Sequence, residues 1–266
     1  MTFPEQIAHF EAFGFIVLRK AFSSDEMDAI GAEIDRILAA DRDGKPFAGE
    51  DRQGVYGGVE SSPVLRQLVD NDRIYEPVNA ILGPDFIWQG SDINLFVGDT
   101  AWHGGGTWDE QLRGVKVALY LNFVQRDTGS LRVIPGSHRR PFNELLAPLK
   151  PDASVGNLMP FGLSPPEVPS VALESEPGDI VVFTESLWHS SFGGKTGRQM
   201  FTLNFLASPT TEQHLESVRR YYEMDLELMK EQQFSSRDWI YGEDFLNSNR
   251  PRICAMTSKL RELGLR

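Results

Sequence analysis

Apolar residues recur at helical spacing near both ends of the chain and gather into short continuous runs between them. Ile7, Phe10 and Phe13, following Phe3 and Pro4, predict an amphipathic helix that Gly14 stops. Phe15-Ile16-Val17-Leu18 then reads as a short buried strand. Ser23 and Glu26 fit a capping box, and Met27, Ile30, Ile34 and Ile37 form the apolar stripe of the long helix behind it. Residues 42–60, rich in Gly, Asp and Arg, read as a loop. Leu65, Leu68, Val69, Ile74, Val78 and Ile81 predict a second long helix over 62–82, kinked or divided by Pro77.

After Gly83-Pro84 the pattern changes. Segments 86–97, 115–124, 131–134, 168–173, 180–183 and 200–205 read as strands separated by Gly, Pro and Asp clusters. Residues 140–168, with several prolines, form a long excursion of the kind from which lids are built. From about Thr210 the helical pattern returns, with Val218, Tyr221, Leu226 and Leu228 among charges. The order predicts a mainly β fold with flanking helices, an antiparallel sandwich or jelly roll. One domain over 1–266 is expected, with a helical part at 1–82, a β core at 86–206 and a helical part at 210–266.

Charge narrows the function. With 26 Lys+Arg against 38 Asp+Glu among 266 residues, the formal charge is −12, which argues against a nucleic-acid polymer or an anionic membrane as partner. The single cysteine, Cys254, excludes an intramolecular disulfide and a cysteine zinc site. The start has no basic segment followed by an apolar one, and no run approaches the roughly 20 apolar residues of a membrane span. A cytoplasmic protein acting on a small molecule is the expectation.

Five histidines are present: His9, His103, His138, His189 and His214. His103 stands at a strand end in Trp102-His-Gly-Gly-Gly-Thr-Trp-Asp109, and His189 follows Leu187-Trp188 just past another strand. Arg198 comes nine residues later. Two imidazoles at neighbouring strand ends can hold a first-row metal, and an arginine at that depth can clamp a carboxylate. His138 reads as a turn residue, and His9 and His214 as helix-surface residues. Asn94 and Lys116, on strands flanking His103, could touch co-substrate or substrate. Trp102, Trp108 and Trp188 could wall the pocket.

The segments Trp102-His103, Asp127-Thr-Gly-Ser-Leu-Arg-Val-Ile-Pro-Gly-Ser-His138 and Pro177-Gly-Asp with His189 and Arg198 resemble the phytanoyl-CoA dioxygenase (PhyH) family of Fe(II)/2-oxoglutarate oxygenases over about residues 5–210. The resemblance implies a double-stranded β-helix (jelly roll, cupin-like). It also implies Fe(II) on His103 and His189, O2 as oxidant, and 2-oxoglutarate with its far carboxylate on Arg198.

One departure matters. The family's first histidine opens a His-x-Asp motif whose carboxylate completes the metal triad. Here the run is His103-Gly104-Gly105, and glycine has no side chain to ligate with. In the related iron halogenases the same replacement leaves room for chloride, and the backbone N–H groups of Gly104, Gly105 and Gly106 could face such an anion. The leading expectation is therefore a freestanding halogenase that uses Fe(II), 2-oxoglutarate, O2 and chloride on an unactivated C–H bond. Related halogenases act on amino acids, indole alkaloids or nucleotides, or on carrier-protein thioesters. Arg113, Arg126, Arg132, Arg139 and Arg140 tilt the substrate towards a nucleotide. Two alternatives stay open: a hydroxylase in which Asp109, or Glu110 beside it, loops back as a displaced ligand, and a non-catalytic small-molecule binder.

Overall fold

The computed structural model describes residues 2–104, 112–150, 159–235 and 237–266. Helix α1 (Phe3–Phe13) ends at Gly14, whose φ of 85° is left-handed. Strand β1 (Phe15–Leu18) follows, then α2 (Ser24–Asp41), whose N-terminus is closed by the expected Ser23–Glu26 capping box. The expected loop at 42–60 instead contains strand β2 (Gln53–Tyr56) and the one-turn helix α3 (Gly58–Ser61). Their apolar faces are too short to register as periodicity, yet all four residues of β2 are buried.

The expected helix over 62–82 is broken, but not at Pro77. A 3-10 turn at Leu65–Leu68 precedes α4 (Asp72–Leu82), which starts where the Asn71 side chain accepts the Arg73 N–H. Asparagine competes for backbone hydrogen bonds and so starts helices better than it continues them.

The strands are β3 (Ile87–Phe96), β4 (Thr100–His103), β5 (Gly114–Tyr120), β6 (Leu131–Val133), β7 (Val171–Leu173), β8 (Ile180–Thr184), β9 (His189–Ser191) and β10 (Arg198–Leu206). They form two antiparallel sheets, in the orders β1-β8-β5-β10-β3-β2 and β4-β9-β6-β7. The one-turn helix α5 (Phe142–Leu145) lies on the excursion after β6. The chain closes with α6 (Glu212–Gln232), α7 (Glu243–Leu246) and α8 (Pro251–Glu262). Two facing antiparallel sheets with flanking helices make this the double-stranded β-helix that the resemblance implies.

Alternation along the strands sorts side chains between layers. On β10, Phe201, Leu203 and Phe205 point outward into a core shared with Ile34 of α2, Val78 of α4 and Ile253 of α8. Met200 and Thr202 point inward, to the space between the sheets. Behind the smaller sheet, Trp102, Trp188, Phe192 and Ile134 pack with Leu149 and Val168 from the excursion. A cavity therefore remains between the sheets, walled on both sides by packed layers.

Candidate functional site

Strands β4 and β9 pair so that His103 stands opposite His189, with their ring centroids 3.9 Å apart. His103 Nδ1 lies 2.9 Å from the Ala101 carbonyl, and His189 Nδ1 lies 2.7 Å from the Leu187 carbonyl. A carbonyl can only accept, so each Nδ1 carries the proton and each Nε2 keeps its lone pair. Both residues line the cavity. Burial lowers the pKa of His189 well below the ordinary imidazole value, and the neighbouring His103 lowers it further. His103 is exposed, yet desolvation lowers its pKa, as do the charges of Lys116 and Arg52. Both shifts favour the neutral ring, whose free Nε2 can donate an electron pair to a metal. Among the described residues, no third His, Cys, Asp or Glu joins them.

Arg198, the first residue of β10 and only 5% exposed, lines the same cavity. Its Nη1 donates to the Gly129 carbonyl and, at 2.7 Å, to Ser191 Oγ. Its Cζ lies 4.6 Å from the centre of the Phe96 ring, and its Nε is buried without a partner. Burial lowers its pKa. A guanidinium that gives up water without gaining a carboxylate is costly unless an anionic ligand completes it. The Asp127-Thr-Gly-Ser run explains how it fits. Gly129 has φ of 94°, and a Cβ there would come within 2.7 Å of Arg198 Cζ. The guanidinium lies where a side chain at position 129 would be.

Three further charged residues line the cavity: Arg52, Asp92 and Lys116. Arg52 Nε and Nη2 donate to Asn94 Oδ1 at 3.0 and 2.6 Å, and the Asn94 amide donates to Asp92 Oδ1. Asp92 Oδ2 accepts from the Thr202 hydroxyl and, at 3.3 Å, from Asn204. Burial opposes the charge on Asp92, but Lys116, Thr202, Arg52 and Asn94 outweigh it and hold the carboxyl below the usual range. Lys116 lies 3.6 Å from Glu185. Burial, which would lower its pKa, is outweighed by Glu185 and Asp92. The cavity measures about 110 Å³.

Of the residues picked from sequence, the fold brings His103, His189, Arg198 and Lys116 to one cavity. Asn94 is close by but fully buried, and its amide joins Arg52 to Asp92. Trp102 and Trp188 do not wall the cavity. Trp102 within β4 and Trp188 just before β9 each precede a cavity histidine by one residue, and both pack in the layer behind the smaller sheet. Gly104, with φ of 145°, follows β4 and lies against Leu187, whose carbonyl a Cβ would meet at 2.8 Å. Gly105, Gly106, Trp108, Asp109 and Glu110 lie outside the described residues. His138 lies in a turn, fully buried against Gly14, and burial pushes its pKa down to about 4.

The five arginines that tilt the sequence reading towards a nucleotide, Arg126 among them, do not line the cavity. Arg113 and Arg139 face Glu11, Arg140 pairs with Glu144, and buried Arg132 pairs with Asp127 and carbonyls. The missed residues are Arg52 and Asp92. Arg52 sits in a stretch that composition assigns to a loop. Asp92 left a usable signal, as a carboxylate in the middle of an otherwise strand-like segment.

A protein-family model, Phytanoyl-CoA dioxygenase (PhyH), matches residues 10–200. Among curated proteins, the ectoine dioxygenase of Bordetella bronchiseptica is 25% identical over 216 residues, covering 74% of this chain and 66% of the relative, just under two thirds of its length. The ectoine dioxygenase of Nocardia farcinica is 29% identical over 155 residues, 51% of each chain. Among solved structures, EctD from S. alaskensis in its apoform superposes with a TM-score of 0.57 at 26% identity, covering 76% of both chains. HygX from Streptomyces hygroscopicus, with nickel and 2-oxoglutarate bound, gives a TM-score of 0.60 at 21% identity, covering 78% of this chain and 88% of that one. At that identity, the second likeness bears on the fold alone.

Proposed function

The chain belongs to the phytanoyl-CoA dioxygenase (PhyH) family, and on that premise we propose that it is an Fe(II)- and 2-oxoglutarate-dependent oxygenase that hydroxylates a C–H bond of a small polar molecule. The observation that carries this reading is the cavity itself. Two imidazoles with their tautomers fixed present Nε2 to the same space as a buried arginine whose Nε has no partner. These residues fit the implied groups: nitrogen donors for a first-row metal, and a fork for a carboxylate. When bound, iron and 2-oxoglutarate would let O2 hydroxylate an unactivated C–H bond, one oxygen atom going to the product and the other to the succinate left when 2-oxoglutarate loses CO2.

The protein's own residues do the rest. His103 and His189 hold the metal, oriented by the Ala101 and Leu187 carbonyls. Arg198, steadied by Ser191 and the Gly129 carbonyl, anchors the far carboxylate of 2-oxoglutarate. Asp92, Lys116 and Thr202 give the cavity a polar wall that can orient a substrate with hydrogen-bonding groups. Asp109, six residues after His103, is assigned as the third ligand on this reading. The relatives named as dioxygenases support hydroxylation.

A second reading rests on one sequence fact, the glycine at position 105 where the family's motif has a carboxylate. On that reading chloride takes the third position and the product is chlorinated. The two separate on metal affinity. For a hydroxylase, Asp109→Ala weakens Fe(II) binding measured anaerobically, and chloride leaves it unchanged. For a halogenase, Asp109→Ala binds Fe(II) like the parent, and chloride shifts the visible absorption of the Fe(II)/2-oxoglutarate complex. Failure of the parent protein to bind Fe(II) with 2-oxoglutarate would refute both.

A further inference from the structure

The cavity holds one guanidinium more than the family's motif accounts for. Arg52 stands just before β2, its Cζ 4.4 Å from the centre of the same Phe96 ring that Arg198 contacts at 4.6 Å. The two guanidinium carbons therefore lie no more than 9 Å apart, the sum of those distances. Asn94 fixes the direction of Arg52 by accepting from Nε and Nη2 with one oxygen, which leaves Nη1 unused. Among the described residues no carboxylate pairs with either arginine, whereas the third cation, Lys116, has Glu185. Arg52 also lies close enough to His103 and to Arg198 for its charge to act on both.

Taking the 2-oxoglutarate reading above as its basis, we infer that Arg52 is a second co-substrate anchor: it grips the carboxylate next to the keto group while Arg198 grips the far one. Two unpaired cations match a dianion in number. That upper limit on their separation admits the dianion as well, since a five-carbon chain at about 1.5 Å per bond extends roughly 5 Å between its end carbons. Each end then reaches a guanidinium at ordinary charge-assisted hydrogen-bond length. The ring of Phe96 forms the floor that both forks share. Asp92, joined to Arg52 through Asn94, holds the fork in place rather than neutralising it directly.

Two ligands separate the ends of the dianion: 2-oxoglutarate, and 2-oxopentanoate, which has a methyl group in place of the far carboxylate. Binding is measured by calorimetry on Ni(II)-loaded protein, so no turnover is involved. Arg198→Gln is expected to weaken 2-oxoglutarate and leave 2-oxopentanoate unchanged. Arg52→Gln is expected to weaken both, each by roughly ten- to a hundredfold, the worth of hydrogen bonds to a charged group. If Arg52→Gln binds both ligands like the parent, Arg52 serves the substrate and the inference is wrong. If it weakens only 2-oxoglutarate, Arg52 shares the far carboxylate, and the inference is equally wrong. Should Arg52→Gln melt without a folded baseline, Arg52→Lys replaces it. That variant keeps the charge but loses the fork, so it is expected to weaken both ligands, and parental affinity for either would overturn the assignment. A parent protein that binds neither ligand overturns the underlying reading instead, which sets that failure apart from the others.

Discussion

Adding one methyl group at Gly129 tests how the site is packed. Gly129→Ala places an L side chain at φ of 94° and brings its Cβ within 2.7 Å of Arg198 Cζ and 2.9 Å of Gly194 Cα. Left-handed backbone costs a non-glycine residue about 1–2 kcal/mol. Relieving an overpacked contact costs about 1–3 kcal/mol more. The softest neighbour is the guanidinium, so relief comes by moving Arg198 off the Gly129 carbonyl and Ser191. Stability should fall by about 2–5 kcal/mol, or roughly 5–15 °C in Tm for a chain of this length. Affinity for 2-oxoglutarate should fall roughly ten- to a hundredfold as the charge-assisted bonds of Arg198 are lost. Gly98→Ala is the control, because its φ is 67° but nothing lies within 4 Å of the new Cβ. It carries the backbone cost alone and should keep parental co-substrate affinity. Thermal melts and calorimetry on Ni(II)-loaded protein read both quantities. A Gly129→Ala protein that melts with Gly98→Ala and binds 2-oxoglutarate like the parent would refute the packing argument.

Three other outcomes follow from the same geometry. His103→Ala and His189→Ala should each weaken Ni(II) binding by at least about a hundredfold, since each removes one of two nitrogen donors; near-parental affinity in either would place the metal elsewhere. Trp102→Phe removes the 2.8 Å bond to the Pro165 carbonyl and leaves a small void behind the sheet, costing about 1–3 kcal/mol. Its Tm should drop while its affinity for Ni(II) and 2-oxoglutarate stays parental, and a selective loss of binding would return the tryptophan to the cavity. Asp225 on α6 is buried, and burial pushes its carboxyl pKa up from 3.8 to about 8. The folded state therefore holds its proton where the unfolded chain has lost it. The stabilisation this gives is complete below about pH 4 and is lost as pH rises towards 8. Asp225→Asn keeps the neutral form at every pH, so its Tm should exceed the parent's at pH 8 by an amount that shrinks towards pH 4. Parallel pH curves would contradict the assignment.

How much of this was legible in the sequence depended on whether chemistry or burial carried the signal. The helix caps were readable because Ser23 and Glu26 act locally, within one turn. His103, His189 and Arg198 were found through motif resemblance, and the fold explains the motif: the pairing of β4 with β9 puts the histidines side by side, and Gly129 makes room for the arginine. Neither short strand was visible by periodicity, since three or four residues carry too few alternations. The same brevity misplaced Trp102 and Trp188. A residue beside a ligand in sequence lies on the far side of the sheet in space, and this was deducible only once the segments were known to be strands. Arg52 was hidden because its partners, Asn94 and Phe96, are more than forty positions away, and only the pairing of β2 with β3 brings them together.

The central claim is that the cavity between the sheets holds iron on His103 and His189 with 2-oxoglutarate on Arg198. Adding Fe(II) and 2-oxoglutarate to the protein without oxygen tests this directly, through the visible charge-transfer band that a 2-oxo acid gives only when it chelates Fe(II). The account predicts that the band appears in the parent, disappears in His189→Ala, and needs much more 2-oxoglutarate to saturate in Arg198→Gln. A parent protein without the band, or a band that survives in His189→Ala, would contradict it.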